Sequence, residues 1–211
     1  MKLILGIDEV GRGAWAGPLV VGAVVLDQEK SITGLNDSKK LTVKQRKILA
    51  RNIKESSVAI GAGWVDAPTI DKVGLSKALK LATKYAYQQV ISQINASEIS
   101  EIIIDGYTNF LDDPRAITII KADGNIAAVS AASIVAKVFR DNYMAQLDTV
   151  FPEFNFASHV GYGTKSHQEN LRKIGPIIGI HRQSFAPIAK LSTHTANPKS
   201  HHSVKKKSVK I

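Results

Sequence analysis

The chain has 211 residues, 44% hydrophobic and 22% charged, which is enough to bury a core without staples and excludes wholesale disorder, collagen and coiled coil. It has no cysteine, so disulfides, thiol nucleophiles and zinc ribbons are excluded, and a reducing compartment is expected. Its net charge is +10, and residues 192–211 hold five lysines and no acid, so a polyanion such as nucleic acid is a natural partner.

The first element is an apolar run over residues 3–9 that ends in Asp8 and Glu9. It is too short and too soon interrupted for a signal peptide. No stretch approaches the roughly 20 apolar residues of a membrane span, so a cytoplasmic protein with no membrane partner is expected. A glycine-punctuated stretch follows from Gly11 to Pro18. Residues 19–26 read as a buried strand, rich in β-branched residues. Residues 34–40 form a polar loop, and Thr42 is placed to cap a helix over 43–55.

Residues 58–65 are a third strand and 67–71 a short helix. From Gly74 the apolar positions Leu75, Ala78, Leu79, Ala82, Tyr85, Ala86, Val90 and Ile94 step by threes and fours, the period of an amphipathic helix. Residues 101–106 make a fourth strand ending in Asp105-Gly106. Residues 116–120 make a fifth, followed by Lys121-Ala122-Asp123-Gly124. A long helix is expected over 126–147, with small residues in its early turns. The pattern is irregular from Pro152 to Gly163. Helices are expected over 165–173 and 187–191. From Ser192 there is no apolar period, and a disordered tail is expected.

Early strands should pair antiparallel and the later ones, joined by crossovers, in parallel. The expected fold is therefore α/β: a mixed five-stranded sheet flanked by helices, with a C-terminal helical extension. It forms one catalytic domain over residues 1–191, with a basic tail over 192–211.

Four carboxylates stand at strand ends: Asp8, Glu9, Asp105 and Asp123. Strand ends of α/β folds open on a common crevice. Acids converging there repel unless hard cations neutralise them, and Mg²⁺ or Mn²⁺ suit oxygen ligands. Two such ions can clamp a phosphodiester for in-line attack by water. Each Asp-Gly pair is equally plain turn chemistry, and neighbours in an ideal strand face opposite ways, so Asp8 and Glu9 need a strand end to share a site. The glycines after Glu9 run G-x-G-x-x-x-G, one residue too long for a dinucleotide fingerprint, and Gly161–Lys165 is not a P-loop. Exposed amides beside Arg12 suit phosphate and sugar contacts. His159, His167 and His181 show no ligand spacing and are assigned no metal. No serine-hydrolase motif is present.

Several segments together resemble ribonuclease HII. They are Gly6-Ile7-Asp8-Glu9-Val10-Gly11-Arg12-Gly13, Asn36-Asp37-Ser38-Lys39-Lys40-Leu41, Ile104-Asp105-Gly106, Lys121-Ala122-Asp123, and Ala131 through Lys137. Arg140-Asp141, Gly161-Tyr162-Gly163-Thr164 and His181-Arg182-Gln183-Ser184-Phe185 continue the same order. The resemblance implies a ribonuclease H-like fold and metal-binding, catalytic roles for Asp8, Glu9, Asp105 and Asp123. It also implies that the Gly11-Arg12-Gly13 backbone and Tyr162 recognise a ribose 2′-hydroxyl at an RNA–DNA junction. Ala14-Trp15, Ala122 and Val160 depart from the family's usual residues.

The activity so implied is cleavage of the RNA strand of RNA–DNA hybrids, and cleavage 5′ to ribonucleotides embedded in duplex DNA, by a monomer using two Mg²⁺ or Mn²⁺ ions. The products expected are a 3′-hydroxyl and a 5′-phosphate. Arg12, Lys39, Lys40 and Lys165 are candidate phosphate contacts. Two alternatives remain at this stage: another metal-dependent nuclease of the same fold, such as a junction resolvase, and a non-catalytic nucleic-acid binder.

Overall fold

The β-branched runs Leu3–Val10 and Leu19–Asp27 form two strands, β1 and β2, in which only Glu9 and Val10 are not buried. A computed structural model of the chain describes residues 2–29, 32–35 and 41–194. β1 and β2 pair antiparallel, Leu3 opposite Asp27 and Val10 opposite Val20. β3 (Ala59–Val65) adds antiparallel to β2. β4 (Ile99–Asp105) adds parallel to β1, and β5 (Ala116–Ile119) adds parallel to β4. The strand order is β3-β2-β1-β4-β5, the mixed sheet expected.

Between β2 and β3 lies α1 (Val43–Ser56), and Thr42 caps it as its position suggests. The Thr42 hydroxyl accepts the Gln45 N–H, and the Gln45 side chain accepts the Thr42 N–H at 2.9 Å. α2 (Ala67–Val73) and α3 (Leu75–Ile91) cover one face of the sheet. They bury Ile70, Ala78, Leu79 and Ala82 against Leu5, Ile7, Val21 and Ile104. α4 (Ala127–Val150) covers the other face, where Ile4, Val24 and Ile103 meet Ala128, Val129 and Ala132.

Three further helices form the C-terminal extension: α5 (Phe156–His159), α6 (Lys165–Ile174) and α7 (Ala186–His194). They close on a third cluster made of Met144, Leu147, Phe154, Phe156, Leu171 and Ile188. The segment expected to be irregular after Pro152 contains a 3-10 turn, Pro152–Phe154, and then α5. Pieces of three and four residues are too short to show a helical period. What holds them is the stacked pair Phe154 and Phe156, with ring centroids 5.2 Å apart. α7 continues to His194, past the expected boundary at Leu191. The rest of the basic tail, and Lys39 and Lys40, lie outside the described residues. Among the described residues no helix is long and apolar enough to cross a membrane.

Helix and sheet approach one another closely at glycines. A Cβ on Gly63 would overlap the Ala82 carbonyl of α3, and one on Gly22 would overlap the Ala132 carbonyl of α4. Such backbone contacts cannot yield as a flexible side chain can. Gly63→Ala is therefore expected to cost about 3 kcal/mol, lowering Tm by roughly 6–12 °C in a chain of this size. A calorimetric shift under about 2 °C would show that α3 can lift from the sheet.

Candidate active site

β1 and β4 run in parallel with Ile7 opposite Ile104 as their last pair. The next residue of each strand is an acid. Asp8 shares a face with Ile4, and Asp105 with Ile103, so alternation turns both toward α4. Asp8 is buried; it accepts the Glu9 N–H at 2.8 Å and a hydrogen bond from Ser133 of α4. Burial pushes the Asp8 carboxyl up to about 7, against the Ser133 hydrogen bond, and repulsion from Glu9 and Asp105 adds to the rise.

Glu9 belongs by alternation to the opposite face, yet it also feels Asp105. It stands where β4 has stopped pairing with β1, so its longer side chain is not confined by the sheet. Burial raises its carboxyl too, opposed by Arg12, whose guanidinium lies 3.6 Å away. Asp105 accepts the Ala122 N–H at 2.7 Å. This joins the end of β4 to the 3-10 turn Ala122–Gly124, which carries the buried Asp123. Ala122, one of the departures from the family pattern, is wholly buried here and supplies that amide. The structure thus brings Asp8, Glu9 and Asp105 into one electrostatic cluster and seats Asp123 on the adjoining turn. Among the described residues no three acids or histidines form a ready-made metal-holding group.

Beyond β1 the Gly11-Arg12-Gly13 turn is closed by Ala14 N–H donating to the Gly11 carbonyl at 3.3 Å. Two wholly buried arginines hold this stretch. Arg182 donates from Nη1 to the Arg12 carbonyl at 3.0 Å, and from Nε and Nη2 to the Gly17 carbonyl at 3.1 and 3.0 Å. Arg140 of α4 donates to the carbonyls of Pro18 (2.8 Å), Val160 (2.8 Å) and Ala16 (3.0 Å). Burial lowers both, Arg182 to about 9 with Arg140 adding repulsion, so both are charged at neutral pH.

Tyr162 is half-buried, and its ring centroid lies 5.5 Å from the Arg140 guanidinium carbon, a cation–π contact. Its loop is tied to the glycine turn, because the N–H groups of Trp15 and Ala16 donate to the Gly161 carbonyl at 2.8 and 3.2 Å. The Trp15 ring occupies the space that a Cβ on Gly163 would need. Val160 adopts φ +43°, a strained conformation for a β-branched residue.

Histidines buttress this loop, and their acceptors assign their tautomers. His159 Nε2–H donates to the Phe154 carbonyl at 2.8 Å, and its Nδ1 accepts the Gly161 N–H at 3.2 Å. His167 Nδ1–H donates to the Tyr162 carbonyl at 2.9 Å. His181 Nδ1 accepts the Ile177 N–H at 2.9 Å, which leaves its Nε2–H to donate to His167 Nε2 at 3.1 Å. All three rings have both nitrogens engaged, and burial keeps His167 and His181 neutral. Ser133, Arg140, Arg182, His167 and His181 went unassigned in the sequence. The only signal for Ser133, Arg140, Arg182 and His181 was their place in the family-like segments, which names no partner, and His167 lies outside those segments. Lys165 opens α6 and is exposed.

The sequence matches the family model described as Ribonuclease HII over residues 5–188. Among solved structures, the ribonuclease H2 from Pyrococcus horikoshii OT3 is similar at 26% identity and TM-score 0.72, covering 92% of this chain and 98% of that one. The ribonuclease HII of a complex with PCNA from Archaeoglobus fulgidus is similar at 25% identity and TM-score 0.68, covering 85% and 92%. Bst-RNase HIII, solved in complex with Mn²⁺, shares the fold at 22% identity and TM-score 0.73, covering 92% of this chain and 70% of that one.

The neutral histidines make stability depend on pH. An unfolded histidine takes its proton near pH 6.5, whereas burial lowers His167 to about 4 and His181 to about 3. Between those values the unfolded chain binds more protons than the folded one, so this contribution is full above pH 6.5 and shrinks as pH falls. Asp8, raised to about 7, acts in the opposite sense. The test is therefore a difference between proteins. From pH 6.5 to 5 the parent should lose stability faster than His167→Asn by about 1 kcal/mol per pH unit on average, measured by urea unfolding. Equal slopes would show that His167 titrates normally in the folded protein.

Proposed function

Because the chain belongs to the ribonuclease HII family, whose members are metal-dependent endoribonucleases acting on RNA–DNA duplexes, we propose that it hydrolyses the RNA strand of RNA–DNA hybrids and cuts 5′ to a ribonucleotide embedded in duplex DNA, leaving a 3′-hydroxyl and a 5′-phosphate. The observation that carries this reading is the crowding of Asp8, Glu9 and Asp105 at one end of β1 and β4, directly before a turn with exposed backbone. A pure binder of phosphates gains nothing from anions placed there.

The donor set fits hard divalent cations. Its side chains offer carboxylate oxygens, and Asp8, raised by burial first and by the charges of Glu9 and Asp105 second, stands where a cation would offset both costs. Asp8, Glu9, Asp105 and Asp123 would hold Mg²⁺ or Mn²⁺, two ions per site. When bound, such ions activate the attacking water and stabilise the leaving 3′-oxygen. The chain's residues do the rest. Ser133 orients Asp8, and the Ala122 amide orients Asp105. Arg12 lies beside Glu9 and can reach a phosphate. The Gly11–Gly13 backbone and the Tyr162 ring take the ribose, whose 2′-hydroxyl is a recognition handle. Lys39 remains a proposed phosphate contact, and Lys165 another. The engaged nitrogens of His159, His167 and His181 leave none of them to act as general base on the 2′-hydroxyl, which favours attack by water.

Asp105→Asn keeps the shape and removes a charge. Cleavage of a labelled hybrid in Mg²⁺ should fall by about a hundredfold or more, while binding measured with chelator present holds or tightens. Activity within a few fold of the parent would remove Asp105 from the site.

For the sugar, Tyr162→Phe keeps the stacking ring and Tyr162→Ala does not. Single-turnover cleavage at one embedded ribonucleotide should fall at least about tenfold in the alanine variant and only a few fold in the phenylalanine variant. Equal and negligible effects would place Tyr162 away from the substrate.

A further inference from the structure

We propose that Arg182 is a positioning residue for ribose selection: by holding the Arg12 carbonyl inward it turns the Gly13 amide out toward the substrate sugar. The inference rests on the ribonuclease reading above and assigns a role within the same site.

In a planar trans peptide the carbonyl and the N–H point in opposite directions. The Arg12 carbonyl and the Gly13 N–H belong to one peptide unit. The carbonyl accepts Arg182 Nη1 at 3.0 Å, so the Gly13 N–H faces away from the buried guanidinium. Gly13 is exposed, and its amide has no acceptor among the described residues. A Cβ on Gly13 would meet nothing within 4 Å, and its φ is not in the left-handed region. The protein's own packing therefore does not require glycine there. Open space at a glycine with an ordinary backbone fits close approach by another molecule.

Arg182 is built to hold its aim. Its Nε and Nη2 share the Gly17 carbonyl, and its guanidinium carbon lies 5.1 Å from the Phe185 ring centroid. The chain on either side is pinned. His181 bonds His167, and the Gln183 and Ser184 N–H groups both donate to the Asp71 carboxylate, at 2.8 and 2.9 Å. Among the described residues Arg182 forms no ion pair with an acid; its hydrogen bonds go to backbone carbonyls. A planar fork can serve the Arg12 and Gly17 carbonyls together, whereas a lysine ammonium is a single point and cannot keep the same geometry.

The test compares two duplexes in Mg²⁺ under single turnover, one with a single ribonucleotide in DNA and one with a run of ribonucleotides. A run offers a 2′-hydroxyl at every step, so a misaimed amide still finds one; a single ribonucleotide offers none to spare. Arg182→Lys should cut the single-ribonucleotide duplex about tenfold or more slowly, and the run no more than about threefold more slowly. KM should change little, since no phosphate contact is removed. The ratio of the two rates in one preparation does not depend on the fraction folded. If the lysine variant yields no folded protein, Arg182→Gln is read the same way. A ratio matching the parent's overturns the role of Arg182 and leaves the ribonuclease reading intact. A parent enzyme that cuts neither duplex overturns that reading and this proposal with it.

Discussion

One ridge of α4 presses closely on the sheet and its loops at four glycines. Ala128, Ala132, Ala136, Arg140 and Met144 recur every four residues and are all buried. Gly6 admits the Ala128 backbone and Gly22 the Ala132 backbone, while a Cβ on Gly11 would overlap Arg140 and one on Gly17 would overlap Met144. Four glycines from β1, β2 and the turn between them thus receive one helix face. The same approach brings Ser133 to Asp8. Two turns further along, it brings Arg140 to the carbonyls of Ala16, Pro18 and Val160. A larger residue at Gly6 or Gly22 would tilt α4 and detune both ends together.

Buried charges of the two signs are treated differently. A charge taken from water is costly unless hydrogen bonds replace the lost hydration. Arg140 and Arg182 receive that replacement from carbonyl oxygens, three hydrogen bonds each, which tie together the loops they bind. Asp8 receives a serine hydroxyl and one amide, and its carboxyl rises, through burial above all and then through the charges of Glu9 and Asp105. The buried cations serve the architecture, and the acids are gathered where like charges face one another.

Much of this was legible in the residues. β-branched runs marked β1 and β2, the Thr42 cap marked α1, and steps of three and four marked α3. Asp8, Glu9 and Asp105 could be suspected from their places at strand ends. Less legible was whatever depends on distant partners. Arg182 and the Gly17 carbonyl are 165 positions apart, and His167 meets His181 only after α6 and its following turn bring them together. Alternation set Asp8 and Glu9 on opposite faces, and only the early end of β4 pairing shows how both feel Asp105. Nor does spacing reveal that isolated histidines have joined one buried network, because each bond is to a backbone group or to another ring.

The long reach of Arg182 has a consequence for biosynthesis. Its bonds to the Arg12 and Gly17 carbonyls join positions 170 and 165 apart, and non-local contacts form only after the loop between them is closed. A chain growing at about 5–20 residues per second exposes β1, β4 and all four acids several seconds before Arg182 exists. During that interval the crowded carboxylates can assemble on the ribosome, while the turn that follows them still lacks its inward anchor. The order of synthesis therefore separates the gathering of the carboxylates from the anchoring of the glycine turn, and the second arrives last.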